Sequence, residues 1–160
     1  VISVLHGHCL GAGLQLALAT DIRIATADCQ FAIMEAKWGL VADMGLTQSA
    51  MGVLRADIVK ELAMTARIFD GQQAFDYGVV SHLSDTPMEV AKNLVAELSN
   101  RSPDAILASK RITNAMYHTP ATTLYQEKLW QIKLLLGQNR KLAVKKAKDE
   151  TVKFIGRQFN

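Results

Sequence analysis

Cysteine, proline and aromatic residues are scarce in this chain: two Cys, three Pro and 6% aromatics among 160 residues. Two cysteines, Cys9 and Cys29, make neither a disulfide framework nor a metal cluster. The expectation is therefore a reducing, cytoplasmic setting. Ten glycines and three prolines exclude a collagen-like or low-complexity chain. No uninterrupted apolar run approaches the roughly 18 residues that a spanning helix needs, so no membrane segment is expected. The opening VISVLHGH has no basic stretch ahead of its apolar residues and does not read as a signal peptide. It looks like the inside of a strand and lacks an initiating Met, so the chain is expected to be a piece of a longer protein.

What the chain does contain is ordinary for a folded domain. Hydrophobic residues make up 49% and charged residues 21%, which excludes a wholly disordered chain and suffices for a buried core. The net charge of +3 hides an asymmetry. Residues 1–100 carry 6 Lys/Arg against 11 Asp/Glu, and residues 101–160 carry 12 against 4. Such a basic end can face a phosphate-bearing ligand, nucleic acid or an acidic surface. A solvated helical face accounts equally well for most of these lysines. No aromatic interleaving or RNA-binding signature accompanies them, so no nucleic-acid partner is expected.

The pattern along the chain is α/β first and helical afterwards. Val1 to Leu5 is short, apolar and β-branched, as in a buried strand. A turn-rich stretch from His6 to Gly13 leads into helix-forming residues from Leu14 to Ala19. Asp21 to Ala25 and Cys29 to Ile33 read as strands. Glu35 to Thr47 reads as an ordered loop, Leu46 to Leu54 and Asp57 to Ala66 as helices, and Gln72 to Tyr77 as a short helix stopped by Gly78. Val79 to Leu83 reads as a last strand. Four helical segments follow, at 87–100, 103–117, 120–136 and 139–155, three of them opened by proline. In the third, Leu124, Trp130, Leu134 and Leu135, with Ile132 nearby, give a broad apolar face. The expected organisation is an α/β core over 1–85 and a helical domain over 86–160. The helical arm cannot bury its apolar faces alone, which points to an oligomer.

Gly11-Ala12-Gly13 sits between a strand and a helix. The N–H groups of a helix start lack intrahelical partners and lie at the positive end of the helix dipole. Such a turn suits a phosphate or a developing oxyanion. As a bare pattern it is weak, because it lacks the third glycine of a dinucleotide fingerprint and the Lys-Ser/Thr of a P-loop. Its neighbours carry more information. HGHCLGAGLQLALATDIRIA (6–25), the Cys29–Ala32 strand, Glu35, WGLVADMG (38–45), AMTAR (63–67) and QAFDYGVV (73–80) together resemble the crotonase superfamily of enoyl-CoA hydratases and isomerases. The resemblance extends over nearly the whole chain.

That resemblance implies a crotonase (ClpP/crotonase-like) fold, here a partial ββα core followed by a C-terminal helical arm. It implies an acyl-CoA substrate and a homotrimer or dimer of trimers. No metal, redox nucleotide or covalent intermediate is implied, and coenzyme A enters only as part of the substrate. Ala12 matches the middle of the family's glycine triplet, whose backbone N–H is one of two oxyanion-hole donors; the other lies upstream of Val1. Glu35 matches a family glutamate that moves protons at the α or γ carbon. Its neighbours Ile33, Met34, Ala36 and Trp38 would partly desolvate it, which suits acid/base work. Without the resemblance, a surface glutamate capping the next segment is the plainer reading.

Gln15 departs from the hydratase pattern, for it occupies the position of the glutamate that helps to activate water. An amide cannot take up a proton at neutral pH, although it can orient a water. One-carboxylate Δ3,Δ2-isomerisation is thereby slightly favoured, with hydration close behind. Asp43 matches an acidic position of dienoyl-CoA isomerases, but those enzymes also carry an acid where Gln15 stands. It is read as a partner of Glu35 or, with slight preference, as a loop cap. His8, Leu10, Gly11, Trp38 and Gly39 are the expected substrate-binding residues. The chain has no G-x-S-x-G elbow, so a triad built from Ser3, a histidine and Asp21 is discounted. His6 and His8 lack a third metal ligand at sensible spacing. In the family the C-terminal helices approach the phosphate end of CoA, a role open to Lys145, Lys146, Lys148 and Lys153. The competing function class is a homologue that keeps acyl-CoA binding, or a scaffold role, and has lost turnover.

Overall fold

The structure is a computed structural model that describes residues 1–117 and 120–159, without the side chains of 120–124, 126 and 127. It divides into two compact units, Val1–Asn93 and Leu94–Asn160. The dividing point falls inside a helix, Pro87–Ser99.

In the first unit, β1 (Ile2–Leu5), β3 (Ile22–Ala25) and β5 (His82–Leu83) form a parallel sheet in the order β1-β3-β5. Ile2 lies opposite Ile22, and Ile24 opposite His82. A second parallel pair joins β2 (His8–Leu10) to β4 (Gln30–Ala32), with Cys9 opposite Phe31. Parallel strands are covered on their faces. Accordingly Ile24, Ala25, Phe31 and Ala32 are fully buried, with Leu14, Leu62, Phe69, Ala74 and Val79 around them. The sequence presents 6–13 as turn throughout, whereas β2 forms inside it, because its three residues find hydrogen-bonding partners only on β4, twenty-odd positions away.

Helix α1 (Ala12–Leu18) follows β2 and buries Leu14, Gln15, Ala17 and Leu18. After β4 come a 3₁₀ turn (Glu35–Trp38), α2 (Leu46–Ala50), α3 (Ala56–Thr65) and α4 (Gly71–Asp76). Helix α4 starts in a capping box. Asp70 Oδ1 accepts from the Gln73 N–H at 2.8 Å and Gln73 Oε1 from the Asp70 N–H at 3.1 Å, satisfying two otherwise orphaned donors. The last strand is shorter than the apolar run predicts. Val79 and Val80 are buried, but their N–H groups turn back to the Ala74 carbonyl, which leaves only His82 and Leu83 to pair. Arg23, buried in β3, donates from Nε to the Val79 carbonyl at 2.5 Å and from Nη1 to the Thr20 carbonyl at 2.6 Å. Burial pulls its guanidinium below its usual pKa, with Asp21 acting in the opposite sense.

Helix α5 (Pro87–Ser99) precedes α6 (Pro103–Asn114), α7 (Pro120–Leu136) and α8 (Gln138–Lys146). Trp130 on α7 is buried beneath the cations Arg111 and Lys133, 4.8 Å and 4.5 Å from its ring centre. Ile132 and Leu135 of the same apolar set are exposed, and the Leu124 side chain lies outside the described residues. The final helix stops at Lys146 rather than near 155. The chain beyond it is held by buried side chains instead of by helical bonds. Asn139 Nδ2 donates to Asp104 Oδ2 at 2.7 Å and to the carbonyls of Ile155 and Gly156, and Asn139 Oδ1 accepts from the Ile155 N–H. The Gln158 N–H donates to Asp104 Oδ1 at 2.8 Å. Asp104 and Asn139 are almost wholly buried, so each polar atom there must find a partner, and the C-terminal segment supplies them.

Candidate active site

Parallel pairing of β2 and β4 brings two chain segments to the same, C-terminal end of the pair. On one side Leu10 leads into the turn at Gly11. On the other, Ala32 leads within three residues to Glu35. The turn is tied to β4 by the Gly11 N–H, which donates to the Ala32 carbonyl at 2.9 Å. Gly11 adopts φ 51°, a backbone that L side chains rarely take. A Cβ there would stand 3.5 Å from Glu35 Oε1 and from Met34 Cγ, so the turn lies directly against the carboxylate.

Glu35 opens the 3₁₀ turn and is half-buried. Its two oxygens differ. Oε1 accepts a hydrogen bond from Gln15 Nε2 at 2.6 Å. Oε2 is buried without a partner among the described residues. Gln15 is 1% exposed, and its Oε1 in turn accepts from the Met44 N–H at 2.8 Å. Side chains from α1 and the 3₁₀ turn, with the backbone just ahead of α2, thus form one short chain of hydrogen bonds. A buried carboxylate oxygen without a donor is costly.

The other expected residues distribute as follows. Ala12 and Gly13 start α1 and are exposed, among helix-start N–H groups that have no intrahelical acceptor. His8 is exposed on β2 and Leu10 half-buried at its end. Trp38 is exposed with Lys37 Nζ 5.4 Å from its ring centre, and Gly39 ends the 3₁₀ turn at φ 70°. Asp43 is exposed in the same loop, next to the residue whose N–H the Gln15 amide holds. The structure therefore joins Gln15, Glu35 and Gly11 directly and leaves Asp43, Trp38 and Gly39 in the flanking loop. The Met44 N–H was not legible as a site group, since a backbone donor 29 positions from Gln15 leaves no mark in composition or spacing. The burial of Gln15 had a visible signal. With Gly11, Leu14 and Leu18 it occupies the i, i+3, i+4, i+7 stripe that faces a core, where a polar side chain needs a partner.

The enoyl-CoA hydratase/isomerase family model matches residues 1–148. The chain belongs to that family. Curated relatives include the human mitochondrial Δ(3,5)-Δ(2,4)-dienoyl-CoA isomerase, 34% identical over 146 residues, which cover 87% of this chain and 44% of that protein. Carnitinyl-CoA dehydratase from Salmonella typhimurium is 35% identical over 128 residues, 79% of this chain and 49% of that protein. An enoyl-CoA hydratase structure from Mycobacterium tuberculosis matches at TM-score 0.86 and 27% identity, covering 94% of this chain and 62% of that one. A Thermobifida fusca protein solved with acetoacetyl-CoA matches at TM-score 0.79 and 31% identity, covering 84% and 54%. The fold is the crotonase fold, and the chain spans less than half the length of the curated relatives it matches. Among the described residues no helix is long and apolar enough to cross a membrane.

In the second unit of this family member, a cleft of about 560 Å³ is lined by Asn100, Arg101, Ser102, Lys146, Glu150 and Phe154, among others. Lys146 Nζ lies 5.5 Å from the Phe154 ring centre. Of the lysines considered for phosphate contact, Lys146 lines this cleft, beside Arg101.

Proposed function

We propose that the complete protein moves a carbon–carbon double bond in an enoyl-CoA thioester, with Glu35 as its single acid/base. The observation that carries this reading is the split environment of the Glu35 carboxylate, one oxygen held by an amide and the other buried and unpartnered. In a Δ3,Δ2-isomerisation Glu35 takes a proton from the α carbon. The C–H electron pair moves into the chain, the double bond shifts and charge collects on the thioester oxygen. The proton is then returned to the γ carbon, and no atom is gained or lost. The Ala12 N–H is one donor to that oxygen, and the second comes from the portion of the relatives' length that this chain does not span. Losing one such donor typically costs on the order of 10²–10³ in rate. This chemistry uses no resident cofactor, and coenzyme A is carried by the substrate. The C-terminal lysines Lys145, Lys146, Lys148 and Lys153 are the proposed contacts of its phosphates, in the same or a neighbouring subunit. A homotrimer or dimer of trimers in the cytoplasm completes the proposal.

Hydration is the second reading, favoured by the dehydratase among the relatives. Against it stands Gln15, whose amide oxygen and nitrogen already bond Met44 and Glu35 and so serve the protein before they serve a water. The test is Glu35→Gln in the complete protein, assayed with a 3-enoyl-CoA. Proton transfer by a positioned group contributes about 10²–10⁴-fold, and a loss of that order is expected with substrate affinity retained. An unchanged rate removes Glu35 from the mechanism, whereas no turnover by the wild type leaves the acyl-CoA-binding homologue as the better account.

A further inference from the structure

We propose that Gln15 is the positioning residue of this site, acting on substrate only through Glu35 and holding that carboxylate in one orientation. The inference rests on the reading of Glu35 as the base and adds what sets its state. An amide has a donor end and an acceptor end that look alike in shape, so its orientation must come from its partners. Here the partners decide it. The Met44 N–H can only donate, so it faces Gln15 Oε1 at 2.8 Å. The NH₂ group is thereby turned to Glu35 Oε1, at 2.6 Å. A donor at that distance holds the carboxylate by a charge-assisted hydrogen bond. It also fixes the carboxylate by one oxygen and leaves Oε2 without a protein partner among the described residues. The same amide ties α1 to the loop before α2, so the turn at Gly11, the base and that loop move together.

A glutamate at position 15 would behave differently in this geometry. One of its oxygens would accept from Met44 and the other would stand against Glu35 Oε1, where two carboxylates cannot both ionise. The amide is thus what makes a one-base site of this arrangement. Other charges are poorly placed to do this work. Helix α1 carries no titratable residue. Asp57, Lys60 and Glu61 of the packed α3, with Lys37 and Asp43 of the loop, are all exposed.

The experiment uses the complete protein with Gln15→Met, which keeps an unbranched side chain and removes the donor. Gln15→Glu, which keeps the Met44 contact and the volume, covers the case in which Gln15→Met does not fold. For Gln15→Met, kcat for the 3-enoyl substrate should fall about tenfold, the worth of one hydrogen bond to a charged group, with KM within about twofold. The infrared carboxylate stretch of Glu35, isolated by difference against Glu35→Gln, should shift when the Gln15 donor is removed. A Glu35 carboxylate band that stays in place in both variants overturns the proposal, even if activity falls. If the wild type turns over no enoyl-CoA, the band alone decides. A band that shifts then keeps Gln15 as the positioning residue while the catalytic reading of Glu35 fails.

Discussion

Cys9 and Cys29 show how a residue's surroundings set its chemistry. Both thiols are free and buried, Cys9 on β2 and Cys29 just ahead of β4. Burial pushes each thiol up to about 11 from 9.0, with Cys29 adding to the effect at Cys9 and Asp28 at Cys29. The native state therefore holds them neutral, while the unfolded chain ionises them from about pH 9.0. Their contribution to stability is intact below pH 9 and is lost as pH rises towards 11. The urea midpoint of the wild type should fall between pH 8.5 and about 10.5 more steeply than that of Cys9→Ala/Cys29→Ala. Equal slopes would contradict the assignment. The same logic governs Gln15. A polar side chain 1% exposed is there because the Met44 N–H and the Glu35 carboxylate satisfy both of its ends, a pairing that the helical stripe implied without naming the partners.

At the scale of elements, backbone approach is as restrictive as side-chain packing. Gly71, the first residue of α4, sits so close to the turn before β4 that a Cβ would come within 2.2 Å of the Thr26 carbonyl and 2.8 Å of that of Ala27. Its N–H also donates to the Ala27 carbonyl at 3.0 Å. Gly71→Ala must displace backbone on one side or the other. A loss of about 1–3 kcal/mol is expected, as for other overpacked sites, read as a lower urea midpoint with m unchanged. A midpoint equal to that of the wild type would show that the two segments are not in register as described. Elements with their own periodicity or capping were legible beforehand: α1, α3, α4 and the proline-opened α5 and α7 lie within a residue or two of expectation, while α6 ends three residues early, at Asn114, where a 3₁₀ turn (Ala115–Tyr117) takes over. Elements that depend on distant partners were not. Strand β2 exists through β4, β5 is cut short because Val79 and Val80 bond back to Ala74, and the segment after Lys146 is straightened by Asn139 and Asp104.

For the whole molecule, the family was legible because its motifs cluster around one end of the β2–β4 pair, where local sequence and function coincide. The geometry between motifs was not, since Gln15 and Glu35 are twenty positions apart and meet only through the fold. The central claim is that one carboxylate, held by an amide, moves a double bond without adding water. The direct measurement is the absorbance of the conjugated thioester when the complete protein is given a 3-enoyl-CoA and a 2-enoyl-CoA in parallel. The account predicts a rise with the 3-enoyl substrate and no loss with the 2-enoyl one. A loss from the 2-enoyl substrate would mean that water is added despite Gln15, and would contradict it.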